Sequence, residues 1–131
     1  MVIVDTSTWV DYLNGRSTPQ VEWLEKELGR QRLGVMDLIV CEVLQGIRDD
    51  GDYSDMRRAM QRLEIFASGG LDLALAAAQN YRTLRARGRT VRKTMDCLIA
   101  TYCLLHNHAL LHNDRDFDPF EQLLGLQVIH P

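Results

Sequence analysis

The stretch Met1-Val-Ile-Val-Asp-Thr-Ser-Thr-Trp-Val10 runs from β-favouring apolar residues directly into a carboxylate and three hydroxyl groups. Its short apolar run predicts a buried strand over residues 2–4. In open α/β sheets, ligands bind at the edge where the carboxyl ends of the parallel strands lie. Asp5 is therefore a candidate ligand, although acids at strand ends also serve as turn or capping residues.

The same pattern of apolar runs and turn residues predicts an α/β fold along the whole chain. We predict further strands over residues 33–36, 64–67, 109–111 and 127–129. Helices are expected over residues 8–14, 19–28, 38–46, 55–63, 71–87, 95–106 and 120–124, with a polar loop at 49–54. The predicted N-caps are Ser7, Thr18, Asp37, Thr94 and Asp118, the last in a capping-box pattern with Glu121.

Length and composition favour one globular domain over residues 1–131. The chain is 46% hydrophobic and 25% charged, and its net charge of -3 does not by itself indicate nucleic acid. Cys41, Cys97 and Cys103 lie in apolar runs without metal-binding spacing and are expected to be reduced core residues of a cytoplasmic protein. We expect neither a signal peptide nor a membrane span.

Two acids lie in otherwise apolar helices. Glu42 interrupts the run from Leu38 to Gly46, where a buried carboxylate must be paired, neutral or metal-bound; a narrow solvated stripe with Gln45 is the alternative. Asp96 falls in the predicted first turn of a buried helix, where free N–H groups and the helix dipole stabilise a negative charge. Asp96 could also be present for the dipole alone.

The C-terminal third adds acids and bases. Asp114 and Asp116 follow the strand over residues 109–111, as Asp5 follows the first strand, and no capping pattern explains them. Basic residues concentrate before Asp96, in a segment that can hold phosphates or can simply be a solvated helix end. The basic residues considered for RNA binding are Arg85, Arg87, Arg89, Arg92 and Lys93. His106, His108 and His112 do not have a zinc-binding spacing.

If the sheet is parallel, these acids converge at one edge. Two unit charges 4 Å apart repel by about 4 kcal/mol at an effective dielectric of 20, so such a pocket requires a cation. Ligation by oxygen alone suits Mg²⁺ or Mn²⁺. Because no Ser or Cys is paired with a base, we expect direct hydrolysis of a phosphodiester by metal-activated water.

Four blocks of sequence together resemble the PIN-domain ribonucleases, specifically the VapC-type toxins of bacterial toxin–antitoxin pairs. The blocks are Val2-Ile-Val-Asp-Thr-Ser7, Glu42-Val-Leu-Gln-Gly46, Asp96-Cys-Leu-Ile-Ala100 and Leu111-His-Asn-Asp-Arg-Asp-Phe117. The resemblance implies a three-layer α/β/α sandwich with a small, mostly parallel sheet. It also implies a Mg²⁺- or Mn²⁺-dependent endoribonuclease with a VapB-type antitoxin, an RNA substrate and a homodimeric state.

The resemblance also assigns roles to residues. Asp5, Glu42, Asp96 and Asp114 match the family's catalytic and metal-binding acids, with Asp116 as a further ligand or supporting acid. Thr6 matches a hydroxyl that supports the site. His112 departs from the family pattern, since relatives commonly have Thr or Ser there. The alternative functions are a metal-dependent phosphatase, for which the second acid after Asp5 is missing, and a non-catalytic module that binds RNA or antitoxin.

Overall fold

Four parallel strands form the centre of the protein in a computed structural model that describes residues 1–131. The strands are β1 (Val2–Val4), β2 (Leu33–Met36), β3 (Glu64–Phe66) and β4 (Ala109–Leu111). The helices are α1 (Thr6–Leu13), α2 (Pro19–Glu27), α3 (Asp37–Gln45), α4 (Asp50–Gln61), α5 (Gly70–Ala86), α6 (Thr94–His106) and α7 (Asp118–Leu124). A short 3-10 helix, Arg115–Phe117, precedes α7.

The sheet has the order β3-β2-β1-β4, and every neighbouring pair is parallel. This arrangement confirms the predicted α/β class with a parallel sheet flanked by helices. β1 is a central strand and β4 is the outer strand next to it. Because the two strands are parallel, their carboxyl ends lie at the same edge of the sheet. The strand expected over residues 127–129 is reduced to one parallel bridge between Leu110 and Val128.

The core is continuous from the sheet to the helices. All residues of β1 and β2 are buried, and the largest fully buried side chains include Phe117, just before α7, and Phe120 within it. β2 also fits closely against its neighbours at Gly34, where a Cβ atom would lie 2.7 Å from the Phe66 ring. None of the helices combines the length and the hydropathy needed to cross a membrane.

Several predicted helix starts were wrong. α1 begins one residue after Asp5, whose carboxylate accepts the Ser7 backbone N–H, so Asp5 and not Ser7 is its cap. α4 begins at Asp50 and is capped by Asp49, so the polar loop predicted at 49–54 is largely helical. In both places an acid earlier in the chain accepts the free backbone N–H groups: Asp5 lies two residues before the predicted cap of α1, and Asp49 lies six residues before the predicted first residue of α4.

Three other predicted caps also do not form. The N-caps of α3, α6 and α7 make no side-chain cap hydrogen bond, since Asp37 and Thr94 lie inside their helices. Asp118 likewise lies inside α7, and Glu121 bonds His130 instead of closing a capping box. Only the predicted Thr18 cap is present, accepting the Val21 backbone N–H at 3.1 Å.

Burial differs from the sequence patterns on two helices. On α5 the buried side carries Leu73, Ala77 and Leu84, whereas Ala74 and Ala78 are exposed, although the sequence pattern places both alanines on one side of the helix with Leu84. α3 is not buried all round, because Ile39 and Val43 are its only fully buried residues. Cys41 on that helix is exposed, which corrects the expectation that all three cysteines are in the core; Cys97 and Cys103 are buried.

Candidate metal centre

Three acids from the C-terminal half of the chain form a cluster. Each acid contributes one carboxylate oxygen, and these three oxygens, from Asp96, Asp114 and Asp116, lie within 4.8 Å of one another. Asp96 is in the first turn of α6, and Asp114 and Asp116 come from the segment after β4. The cluster lies beyond the end of a strand, where the sequence predicted acids to meet.

Asp5 is 3% exposed and is held by its own helix. Its Oδ2 accepts the Ser7 backbone N–H at 3.0 Å and the Ser7 hydroxyl at 2.7 Å. Its Oδ1 is buried and has no hydrogen-bond partner. Burial raises the pKa of Asp5 to about 6, although the hydrogen bonds from Ser7 lower it. Asp5 therefore presents one buried oxygen that a proton or a cation can occupy.

Asp96 has a similar environment with more negative neighbours. It is 6% exposed, and its Oδ2 has no hydrogen-bond partner. Burial, and then the charges of Asp5 and Asp114, raise the pKa of Asp96 to about 7, while Lys93 opposes them; Glu42 adds a smaller repulsion. The acids predicted from distant parts of the sequence thus act on one another at one edge of the sheet.

Glu42 joins the site from α3 and is partly buried. The Thr6 hydroxyl donates a hydrogen bond to its Oε1 at 2.8 Å, which links the start of α1 to α3. The negative charge of Glu42 also raises the pKa of Asp5, as the smallest of the causes of that shift, which indicates that the two carboxylates are neighbours. The lone acid of the apolar run is therefore paired with a hydroxyl, and Thr6 contacts a predicted site residue.

Ser7 is the site residue that the sequence reasoning missed. Besides its two bonds to Asp5, its Oγ accepts the backbone N–H of Asn113 at 2.9 Å. The Asn113 side chain in turn donates to the buried carboxylate of Asp11 at 2.9 Å. One hydroxyl therefore joins the segments that carry Asp5 and Asp114. The run of hydroxyls after Asp5 was the available signal, but it was interpreted as helix capping.

His112 positions the Asp114 segment through its ring. The Asp114 backbone N–H donates to Nδ1 of His112 at 3.1 Å, and Oδ1 of Asp114 accepts the Asp116 backbone N–H at 2.9 Å. Burial lowers the pKa of His112, against the charges of Asp118 and Asp114. A neutral ring that accepts at Nδ1 must carry its proton on Nε2, which is buried and unpartnered.

The basic residues are not equivalent. Arg92 donates to Oδ1 of Asp116 at 2.8 Å and so touches the acidic cluster. Arg89 donates to Gln122 on α7 at 2.9 Å, and Arg85 lies over the Tyr81 ring. Arg87 and Lys93 are exposed at the two ends of the loop between α5 and α6. The loop brings Arg92 and Lys93 to the site, whereas Arg85 is occupied on its own helix.

Known proteins resemble this chain in both sequence and structure. The PIN domain family model matches residues 2–122. A VapC ribonuclease of Mycobacterium bovis and ribonuclease VapC11 of Mycobacterium tuberculosis are each 32% identical over 131 residues, covering 98% of this chain and 97% of theirs.

Solved structures share the fold at lower identity. The VapBC2 complex of Rickettsia felis, bound to a promoter DNA fragment, matches with a TM-score of 0.78 at 18% identity, covering 98% of both chains. FitAcB of Neisseria gonorrhoeae matches with a TM-score of 0.76 at 16% identity, covering 100% of this chain and 98% of that one. These structural matches support the fold alone.

Proposed function

This chain belongs to the PIN-domain family and, within it, to the VapC ribonucleases, and on that basis we propose a Mg²⁺- or Mn²⁺-dependent endoribonuclease that acts as the toxin of a toxin–antitoxin pair. The observation that carries the proposal is the pair of buried, unpartnered oxygens, Asp5 Oδ1 and Asp96 Oδ2, beside the Asp114–Asp116 cluster. Buried polar atoms without partners are rare in proteins, and two such carboxylate oxygens among further acids favour a bound cation.

The residues present fit a hard divalent cation. Every donor is a carboxylate oxygen, as Mg²⁺ and Mn²⁺ prefer, and a cation among the acids would offset the cost of burying Asp5 and Asp96. Asp5, Asp96 and Asp114 would hold the ion, with Glu42 and Asp116 as further ligands or supporting acids. Such an ion lowers the pKa of its bound water and stabilises charge on the phosphate under attack.

The remaining side chains have separate tasks in this proposal. Ser7 orients Asp5 so that only Oδ1 faces the ligand, and Thr6 fixes the Glu42 carboxylate. Arg87, Arg89, Arg92 and Lys93 would attract the RNA backbone to the edge of the site, with Arg85 as a weaker contributor. His112 is already occupied at Nδ1 by the Asp114 segment and therefore positions that segment.

Hydrolysis by water predicts specific products. Attack by an activated water on the phosphorus, with departure of the ribose 3′-oxygen, leaves a 5′-phosphate and a 3′-hydroxyl when the proton returns to the leaving oxygen. A 2′,3′-cyclic phosphate would instead require attack by the ribose 2′-oxygen. The identity of the RNA ends therefore tests the mechanism independently of the rate.

An antitoxin partner has a suitable surface beside the site. A groove of about 730 Å³ runs from Glu42 between α1, α3 and α4. Its lining includes the exposed apolar side chains of Val10 and Leu13, and acids on α4 such as Asp52 and Asp55. Charge complementarity favours an amphipathic antitoxin segment with apolar residues on one side and basic residues at its edge.

Two expectations stay predictions: the homodimer, which the family resemblance implies, and the cytoplasmic location, which the cysteine pattern indicates. Light scattering of the purified protein at several concentrations would measure its oligomeric state. Fractionation of cells that express the protein at native levels would show its location.

The proposed activity is tested by incubating purified protein with total cellular RNA and mapping the new 5′ ends. We expect cleavage with Mg²⁺ or Mn²⁺, none with EDTA, and 5′-phosphate ends. Asp5→Asn and Asp96→Asn should each lose activity while remaining folded, whereas Asp72→Asn, an exposed acid in the first turn of α5, should cleave like wild type. Cleavage that persists in EDTA would contradict the metal-dependent mechanism.

A further inference from the structure

Arg92 contacts the acidic cluster from within the same chain. Its Nη2 donates to Oδ1 of Asp116 at 2.8 Å, and the side chains are 72% and 13% exposed, respectively. Asp116 is also one of the three acids whose oxygens gather within 4.8 Å. A guanidinium group therefore already occupies one oxygen of a carboxylate that a divalent cation could use.

The loop that carries Arg92 is fixed on the body of the protein. Val91, the preceding residue, is 5% exposed and belongs to the core. Two residues earlier, Arg89 donates to Gln122 on α7 at 2.9 Å. The anchored loop therefore holds the Arg92 backbone where its guanidinium reaches Asp116.

We propose that Arg92 is a positioning residue that competes with the divalent cation for Asp116 and so weakens metal binding by the RNA-free enzyme. This inference rests on the proposed function, because it takes the acidic cluster to be the metal site. The competition has two physical causes: the guanidinium engages a carboxylate oxygen, and its positive charge repels a second cation nearby. Most of the Arg92 side chain is exposed to solvent, where an RNA phosphate can bind the guanidinium and leave Asp116 to the metal ion.

By thermodynamic linkage, a phosphate that binds Arg92 must then strengthen metal binding by the same factor as the metal strengthens phosphate binding. The metal centre would be weakly occupied in the free enzyme and more strongly occupied once substrate is present. Arg92 would therefore join substrate binding to assembly of the metal site.

The test measures the dissociation constant for Mn²⁺, by the loss of the free-ion signal in electron paramagnetic resonance, in protein without RNA. We expect Arg92→Gln to bind Mn²⁺ about two- to fivefold more tightly than wild type, the size expected for a largely exposed ion pair. A merely structural role predicts the opposite sign, since a disturbed site binds metal more weakly. Arg92→Lys, which keeps the charge, should remain close to wild type.

Two controls isolate the contact. Arg89→Gln removes the same charge from the same loop without touching an acid, so it should leave the Mn²⁺ affinity nearly unchanged. In an Asp116→Asn background, Arg92→Gln should lose most of its effect, because the shared carboxylate is gone.

Equal or weaker Mn²⁺ binding by Arg92→Gln would overturn this inference, and so would equal tightening by Arg89→Gln. An effect of Arg92→Gln that persists undiminished in the Asp116→Asn background would overturn it as well. Absence of Mn²⁺ binding in every variant, wild type included, would instead overturn the proposed function and this inference together.

Discussion

At the scale of single residues, Ser7 determines how Asp5 is presented. Its hydroxyl and backbone N–H both bond Oδ2 of Asp5, so that Oδ1 alone is left for a ligand. The same hydroxyl accepts the Asn113 N–H and links this acid to the segment of Asp114. Groups that orient metal ligands in this way are often nearly as important for affinity as the ligands.

Ser7→Ala should therefore weaken Mn²⁺ binding by roughly 10- to 100-fold, the usual effect of removing a group that orients a metal ligand. Ser7→Thr keeps the hydroxyl and should recover most of the affinity. Isothermal titration calorimetry with Mn²⁺ measures both. Ser17→Ala, which removes an exposed hydroxyl bonded to Glu22, is the matched control. Wild-type affinity in Ser7→Ala would show that Asp5 needs no such support.

His112 supports Asp114 through one acceptor atom. Asn places Oδ1 where His places Nδ1, so His112→Asn can still accept the Asp114 N–H and should keep much of the RNA cleavage. His112→Leu loses the acceptor and leaves the partly buried Asp114 N–H unsatisfied, so we expect it to lower kcat/KM by about tenfold or more. Equal rates for the two variants, both folded by circular dichroism, would contradict this role.

At the scale of helices and strands, local sequence predicted strand positions better than helix starts. Short apolar runs bounded by polar or turn residues identified β1, β2 and β4, which are largely buried, whereas β3 was also predicted although none of its residues is buried. Caps depend on competition between neighbouring acids and hydroxyls in three dimensions. Ser7 is a good cap by type, but its hydroxyl bonds the Asp5 carboxylate, and Asp5 takes the cap position. Sequence alone does not determine that choice.

β2 gives a stability prediction at this scale. A Cβ on Gly34 would lie 2.7 Å from the Phe66 ring, 2.9 Å from the Met1 sulfur and 3.0 Å from Ile3. Gly34→Ala should lower the free energy of unfolding by about 1–3 kcal/mol, as overpacking does. Urea unfolding measures the change. Gly46→Ala, where the Cβ meets ordinary contacts at 3.6 Å, should not destabilise the protein, so equal losses in both variants would be against this account.

At the scale of the whole molecule, the site exists because a parallel sheet brings together acids that are far apart in sequence. The sequence predicted this convergence from acids that follow strands or interrupt apolar helices. It did not predict the orientation of each carboxylate, which depends on Ser7, Thr6 and Asn113 acting across elements. Nor did it predict that Arg92 alone among the basic residues would contact an acid of the cluster.

Raised acid pKa values make the metal-free protein less stable as pH rises. Asp5 and Asp96 have folded pKa values of about 6 and 7, up from 3.8, so between about pH 4 and 7 the folded state binds more protons than the unfolded state. Their stabilising contribution is complete below about pH 4 and is lost as pH rises through 6 and 7. Bound Mg²⁺ should offset this loss at pH 8.

Urea unfolding in EDTA at pH 5, 6, 7 and 8 measures this dependence. The lowered pKa of His112 acts in the opposite direction, so the informative quantity is the difference between wild type and Asp96→Asn. The free energy of unfolding of wild type should fall relative to that of Asp96→Asn as pH rises from 5 to 8. A difference that does not change with pH would contradict the assignment of a raised pKa to Asp96.

The most direct test of the central claim is an anomalous difference map from crystals of the protein soaked in MnCl₂ and measured at the manganese absorption edge. The account predicts a strong peak bounded by the carboxylates of Asp5, Asp96 and Asp114, and its loss in Asp96→Asn. A map from fully soaked crystals with no peak among these residues, or with a peak only elsewhere, would contradict it.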